Sequence, residues 1–174
     1  MTQANKLQST EAVQSMLHDS AAYQAMLERE AAMKAEILAR HAQEEGRIGA
    51  QIEALVEAIY LVASADGRFS GEECAELSAH VAALTEDRFS AEDIETMRSN
   101  AEGRASEGIA ARATAIAECL DDGDLRRSAL LAASAVAWKD GGVGQKEGIA
   151  LQTLARAFGI SIDELHKIMS VAHG

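Results

Sequence analysis

The sequence predicts an all-α protein: a compact helical bundle with an additional long helix before it. Aromatic residues make up 3% of the 174 residues and proline is absent, a composition that favours helices and lacks the residues that strands prefer. Apolar residues recur three or four positions apart, which is the spacing of one helix face. No segment alternates apolar and polar residues with an excess of β-branched ones, so no β-strand is expected.

The charge of the chain excludes some classes of partner. It carries 28 Asp and Glu against 16 Lys and Arg, a formal net charge of −12. This charge repels phosphate backbones and anionic lipid surfaces, so nucleic acid is not an expected partner. The longest apolar stretch, residues 128–138, is shorter than the roughly 20 residues of a membrane span, and the first residues resemble no export signal. We expect a soluble cytoplasmic protein, and association through a membrane protein partner stays open.

Residues 1–49 are predicted to form a helical arm, and residues 50–174 a separate helical domain. Residues 1–50 contain seven acidic and five basic residues, so most of the negative charge belongs to the domain. An apolar line through Leu27, Ala31 and Leu38 predicts one helix from about residue 10 to residue 45, ending near Gly46 and Gly49. Such a helix needs a partner surface. The sequence leaves open its own domain, a second copy of the chain (a homo-oligomer) and another protein.

Local signals divide the domain into helices. Ser70, Ser90 and Ser161 each precede an acidic residue by three positions, a pattern typical of a helix start. Cys74 and Cys119 have no second cysteine or histidine at ligand spacing, which argues against a zinc site and a disulfide framework. Each cysteine is therefore expected to be a small core residue.

Two turns of the domain share the pattern Asp-Gly-x-apolar-x-x-x-Glu. The first contains Asp66 and Glu73, and the second contains Asp140 and Glu147. A repeated unit of this kind predicts an internal duplication whose halves pack around a pseudo-twofold axis.

The four carboxylates of these turns have two interpretations. Their spacing matches the second half of an EF-hand loop, but the first half lacks its carboxylates, which excludes an ordinary EF-hand. One interpretation is a site for a divalent cation such as calcium, with Asp66, Glu73, Asp140 and Glu147 as ligands. The other is that these residues end and cap helices. No nucleophile elbow, zinc-protease motif or phosphate loop occurs, so no catalytic residue is assigned.

These features resemble the TerB family of tellurite-resistance proteins and TerB-like domains. The resemblance covers about residues 50–172. It rests on the paired turns, on Leu-Asp-Asp-Gly-Asp-Leu-Arg-Arg at 120–127 and on Leu-Ala-Arg-Ala-Phe-Gly-Ile-Ser at 154–161. It implies one all-helical domain of about seven helices. It also implies a cytoplasmic, stress-related module with an acidic surface for metal ions and partner proteins, and no established catalytic residues.

The function expected from the sequence is that of a noncatalytic, acidic interaction module. It would bind a protein partner through its surface or through the N-terminal helix. The alternative is a divalent-metal-binding or metal-sensing protein that uses the duplicated turns. The arm departs from the family pattern, so a role other than tellurite resistance stays open.

Overall fold

A computed structural model of the chain describes residues 12, 15, 16, 20–139 and 141–174. This part contains seven α-helices, one short 3-10 turn and no β-strand, which confirms the predicted all-α class. No helix in it is both long and apolar enough to cross a bilayer. The helices are α1 (Ala21–Ala63), α2 (Gly71–Thr85), α3 (Ala91–Arg104), α4 (Ile109–Cys119), α5 (Gly123–Trp138), α6 (Gln145–Phe158) and α7 (Ile162–His173), with the 3-10 turn at Ala105–Glu107.

Helix α1 is 43 residues long and does not end where the sequence predicted. It continues through Gly46 and Gly49, so the predicted end at these glycines is wrong. The predicted start near residue 10 lies outside the described residues. A glycine inside a helix costs only about 1 kcal/mol relative to alanine, and most neighbouring residues are strong helix formers. Two glycines are therefore insufficient to stop this helix.

The chain divides into two compact units, Met1–Arg47 and Ile48–Gly174. The described side chains of the first unit are mostly exposed, whereas the second unit contains the core. Helix α5 supplies small buried residues such as Ala129, Ala133 and Ala137, which allow its neighbours α2, α6 and α7 to pack against it. The largest fully buried side chains are Leu55, Ile59, Leu77, Ile116, Leu120, Leu130, Leu151, Leu154 and Leu165.

The three predicted helix starts are confirmed. The hydroxyl oxygens of Ser70, Ser90 and Ser161 each accept the backbone N–H three residues later, at 3.1, 3.1 and 3.2 Å. These bonds satisfy N–H groups that have no partner within the helix. The N-termini of α2, α3 and α7 are therefore fixed by local sequence.

One arginine joins the ends of two helices. Arg126 of α5 donates to the carbonyls of Ala117 and Leu120 at the end of α4, and to the carbonyl of Phe158 at the end of α6. The last carbonyls of a helix lack intrahelical donors, and a cation there complements the helix dipole. Arg126 therefore caps α4 and α6 together.

Cys119 is exposed at the end of α4, so its predicted place in the core is wrong. It precedes the buried Leu120 by one residue, which turns its side chain about 100° around the helix axis from the core. Cys74 is half-buried on α2, and both thiols are free.

Candidate functional site

The first predicted turn connects α1 to α2. The Asp66 carboxylate accepts the backbone N–H of Arg68 at 2.8 Å, and the N–H of Gly67 donates to the carbonyl of Ser64 at 2.9 Å. Gly67 has φ +91°, which glycine adopts without the strain that other residues incur. The Asp66 side chain is exposed. It stabilises the turn through this bond to the backbone.

Glu73 is buried at the start of α2 and has a structural role there. Its Oε2 accepts the N–H of Ser70 at 2.6 Å, while its own N–H donates to the Ser70 hydroxyl at 3.1 Å. A buried carboxylate is costly unless it is hydrogen-bonded, and this reciprocal cap supplies the bond. The capping interpretation thus has a specific contact at Glu73.

The second turn connects α5 to α6 and repeats half of this arrangement. Glu147 is buried, and its Oε2 accepts the N–H of Gly144 at 2.6 Å. Glycine has no side chain, so the returning bond of a full capping box does not form. Asp140 lies outside the described residues. The two turns share a buried glutamate that accepts an N–H from the third residue before it, and the pseudo-twofold packing of the halves stays a prediction.

The predicted cation site is incomplete in the described part of the chain. Within that part, no three His, Cys, Asp or Glu side chains lie close enough together to hold a metal ion. Asp140, one of the four predicted ligands, is not among those residues. The site formed by Asp66, Glu73, Asp140 and Glu147 therefore stays a prediction.

An open cleft of about 610 Å³ lies beside the first turn. Its walls come from the end of α1, the turn itself, the start of α2 and α3. Tyr60 and Phe69 contribute an aromatic wall, with ring centroids 5.2 Å apart and planes inclined at 56°. Cys74 of α2 also lines the cleft. Because Tyr60 is only 7% exposed and Phe69 is half-buried, an apolar group in the cleft would meet mainly the Phe69 ring.

The charges of the cleft are two arginines and two glutamates. Arg98 pairs with Glu95 at 2.7 Å and with Glu102 at 3.1 Å, and its guanidinium lies 5.9 Å from the centre of the Phe69 ring. The hydrogen bonds to Glu95, and secondly to Glu102, raise the pKa of Arg98 above its ordinary value. Arg68 is exposed and makes no ion pair with any described residue. The unpaired charge of this cleft is therefore positive.

Sequence reasoning did not identify the cleft. The positions of Glu95 and Glu102, three before and four after Arg98, predict a paired arginine on a helix. The free guanidinium of Arg68 and the approach of Tyr60 to Phe69 depend on how α1, α2 and α3 meet, and no local pattern signals them.

The helices, the two turns and the caps define a helical bundle of a known class. The chain belongs to the TerB family, because the family model described as "Tellurite resistance protein TerB" matches residues 60–170. The match starts near the end of α1 and runs into α7, so it includes both turns. Searches of curated proteins and of solved structures found no match. The family resemblance seen in the sequence is confirmed.

Proposed function

We propose that this TerB-family chain is a noncatalytic interaction module whose helical domain binds a protein partner. The observation that carries the proposal is the cleft beside the first turn, which combines an aromatic wall with an unpaired cation. Interfaces concentrate their binding energy on aromatic and arginine side chains of this kind. We further propose a cytoplasmic, stress-related role, because the family resemblance implies one.

The chemistry of the cleft specifies the segment that it accepts. An apolar side chain of the partner packs against Phe69, whose ring is backed by the buried Tyr60, and a carboxylate pairs with Arg68. The domain is strongly acidic overall, so it repels partner surfaces with many carboxylates. The partner segment therefore has one acidic residue beside an apolar residue in an otherwise neutral or basic surface.

The lining of the cleft supports a noncatalytic role. Ser64, Ser70 and Cys74 supply the serine hydroxyls and the thiol of the lining, and no histidine is among the lining residues. The Ser64 hydroxyl donates to the carbonyl of Tyr60 at 2.7 Å. The Ser70 hydroxyl already accepts the N–H of Glu73. An activated nucleophile needs an adjacent base, and the two carboxylates of this lining, Glu95 and Glu102, pair with Arg98.

One observation favours the alternative function, a divalent-metal-binding or metal-sensing protein. Glu73 and Glu147 are both buried at matching positions of the two turns, and each has one carboxylate oxygen on a helix-start N–H. With Asp66 and Asp140 they would supply the oxygen ligands that calcium prefers. The cation titration in the Discussion separates this function from the first.

The partner is sought with a photo-reactive amino acid placed at the rim of the cleft. Gly71 is a suitable position, because a Cβ placed there meets no atom within 4 Å. Gly148 on α6 is the matched control, with the same free space but outside the cleft lining. After irradiation of cells that make the full chain, we expect a discrete adduct from position 71 and none from position 148.

The crosslinked segment is then synthesised and titrated against purified protein. Arg68→Glu should weaken its binding about tenfold or more, the loss of one charge-assisted contact. Arg88→Glu makes the same charge change at an exposed arginine outside the lining, and binding should stay as in the unchanged protein. Equal adducts from both positions, or equal affinity in the Arg68→Glu variant, would overturn the proposal.

A further inference from the structure

Three exposed apolar side chains of the arm lie along one stripe of α1, and a fourth, Leu38, is 69% exposed beside that stripe. Met26, Met33 and Ile37 are 53%, 62% and 49% exposed. They are separated by seven and then four residues, which is the spacing of the contact positions in a coiled coil. A stripe of this kind is stable in water when another helix covers it.

Two residues of opposite charge lie on the same stripe, at equal distances on either side of its centre. Glu30 lies three residues before Met33, and Arg40 lies three residues after Ile37. Both charges are exposed and make ion pairs within the helix, Glu30 with Lys34 at 2.7 Å and Arg40 with Glu36 at 2.7 Å. Exposed pairs of this kind contribute little, so both side chains are available for other contacts.

We propose that the arm pairs with the arm of a second copy in antiparallel orientation, centred on residue 35. In this register Met33 lies opposite Ile37 of the second copy, and Glu30 lies opposite Arg40 of the second copy. The twofold symmetry produces each contact twice. The pairing therefore has an apolar centre with one ion pair between Glu30 and Arg40 on each side.

The order of charges selects the antiparallel orientation. A parallel pairing in register would place Glu30 against Glu30 and Arg40 against Arg40 at contact positions, and like charges there repel. The antiparallel register converts both repulsions into attractions.

The distribution of charge favours a second copy as the occupant. Residues 1–50 carry seven acidic and five basic residues, whereas the remaining residues carry 21 acidic and 11 basic. Two copies therefore repel each other strongly through their domains and only weakly through their arms. The arm is the part of the chain on which two copies approach at the lowest electrostatic cost.

A charge exchange in the full chain tests the pairing. Sedimentation over a wide range of protein concentrations should show a monomer–dimer equilibrium for the unchanged protein. Glu30→Arg or Arg40→Glu alone should shift it strongly to monomer, because each places like charges opposite each other twice. The double variant should restore the dimer. Glu28→Arg, an exposed change outside the stripe, should dimerise as the unchanged protein does, and circular dichroism checks that every variant remains helical.

Several outcomes would overturn the proposal. A chain that stays monomeric at every concentration has no such pairing. Dimers that are insensitive to the single changes, or are not restored by the double change, use another surface. A mass corresponding to a higher oligomer would also contradict it.

The orientation is measured with a spin label at Gln43, in a chain whose Cys74 and Cys119 are replaced by Ser. Antiparallel pairing about residue 35 separates the two labelled residues by about 24 Å along the axis, at 1.5 Å per residue. A parallel dimer would place them side by side, and a distribution of short distances would refute the register.

Discussion

Arg112 of α4 donates two hydrogen bonds to the buried carboxylate of Glu57 in α1. Its Nε donates to Oε1, and its Nη2 donates to Oε2 at 3.0 Å. Arg104 of α3 approaches the same carboxylate at 3.2 Å. The hydrogen bonds to Glu57, and secondly to Glu107, raise the pKa of Arg112 above its ordinary value. The guanidinium therefore stays charged, and Glu57 connects three helices of the core.

Replacing Glu57 should destabilise the domain. Glu57→Ala removes the carboxylate that Arg112 and Arg104 share, although Arg112 keeps Glu107 and Arg104 keeps Glu53 as partners. Losing these charge-assisted hydrogen bonds should cost about 2 kcal/mol. Urea unfolding followed by circular dichroism measures the loss. Glu36→Ala removes one partner of an exposed pair in α1 and should leave the unfolding curve unchanged. Equal curves for the two variants would contradict the assigned importance of Glu57.

Two adjacent arginines of α5 should differ sharply in their effect on stability. Arg126→Met leaves three carbonyls at the ends of α4 and α6 without their donor, and should cost about 2 kcal/mol. Arg127→Met removes exposed pairs with Glu164 and Asp124, and should cost much less because solvent screens them. Thermal unfolding of the two variants is the measurement. A larger loss for Arg127→Met would refute the capping role of Arg126.

The cap of α3 should respond to acid. Hydrogen bonds from the hydroxyl and then the backbone N–H of Ser90 hold the pKa of Asp93 below its ordinary value. Because the folded pKa is the lower one, this contribution to stability is present above about pH 4 and is lost as the pH falls through the lowered pKa. In Ser90→Ala, an NMR titration should show the pKa of Asp93 rising towards its ordinary value.

Glu95 on the same helix is the control for that titration. Hydrogen bonding to Arg98 lowers its pKa, and Ser90 takes no part in that contact. The Glu95 titration should therefore be identical in both proteins. An unchanged Asp93 titration in Ser90→Ala would show that the hydroxyl does not set its pKa.

A cation titration distinguishes the two interpretations of the paired turns. If Asp66 and Asp140 only close turns, Asp66→Asn and Asp140→Asn should leave the melting temperature nearly unchanged, because Asn also forms such turns. Calcium, magnesium and manganese should then have no effect. The spacing of half a calcium loop predicts instead a small shift with calcium that disappears in the double variant. A cation at a hundredfold excess over its dissociation constant would instead stabilise the protein by about 2.7 kcal/mol. A calcium-dependent shift that the double variant abolishes would establish the metal site.

The parts of the fold that the sequence predicted are those fixed by local interactions. Caps such as those at Ser70 and Ser90 span three residues, so their pattern is visible without any tertiary structure. The predicted break at Gly46 and Gly49 failed because single-residue propensities are small beside the cooperativity of a long helix. The ion pair of Glu57 with Arg112 spans 55 residues, and no local pattern encodes it.

The candidate site also has a part that local sequence predicts and a part that depends on tertiary packing. Asp66, Glu73 and Glu147 lie on the turns where the repeated motif places them, because the motif itself specifies a turn and a helix start. The cleft depends on the space that three helices leave between them. Neither the accessibility of Arg68 nor the aromatic wall could be predicted from spacing alone.

Gly46 and Gly49 determine where α1 unwinds most easily. A Cβ at either position would meet no atom within 4 Å, so no side chain covers the backbone at either glycine, and glycine gains the most freedom on unwinding. Local opening is easiest in such stretches. Amide protons around Arg47 should therefore exchange with solvent sooner than those around Ile59, and trypsin should nick the native chain there first.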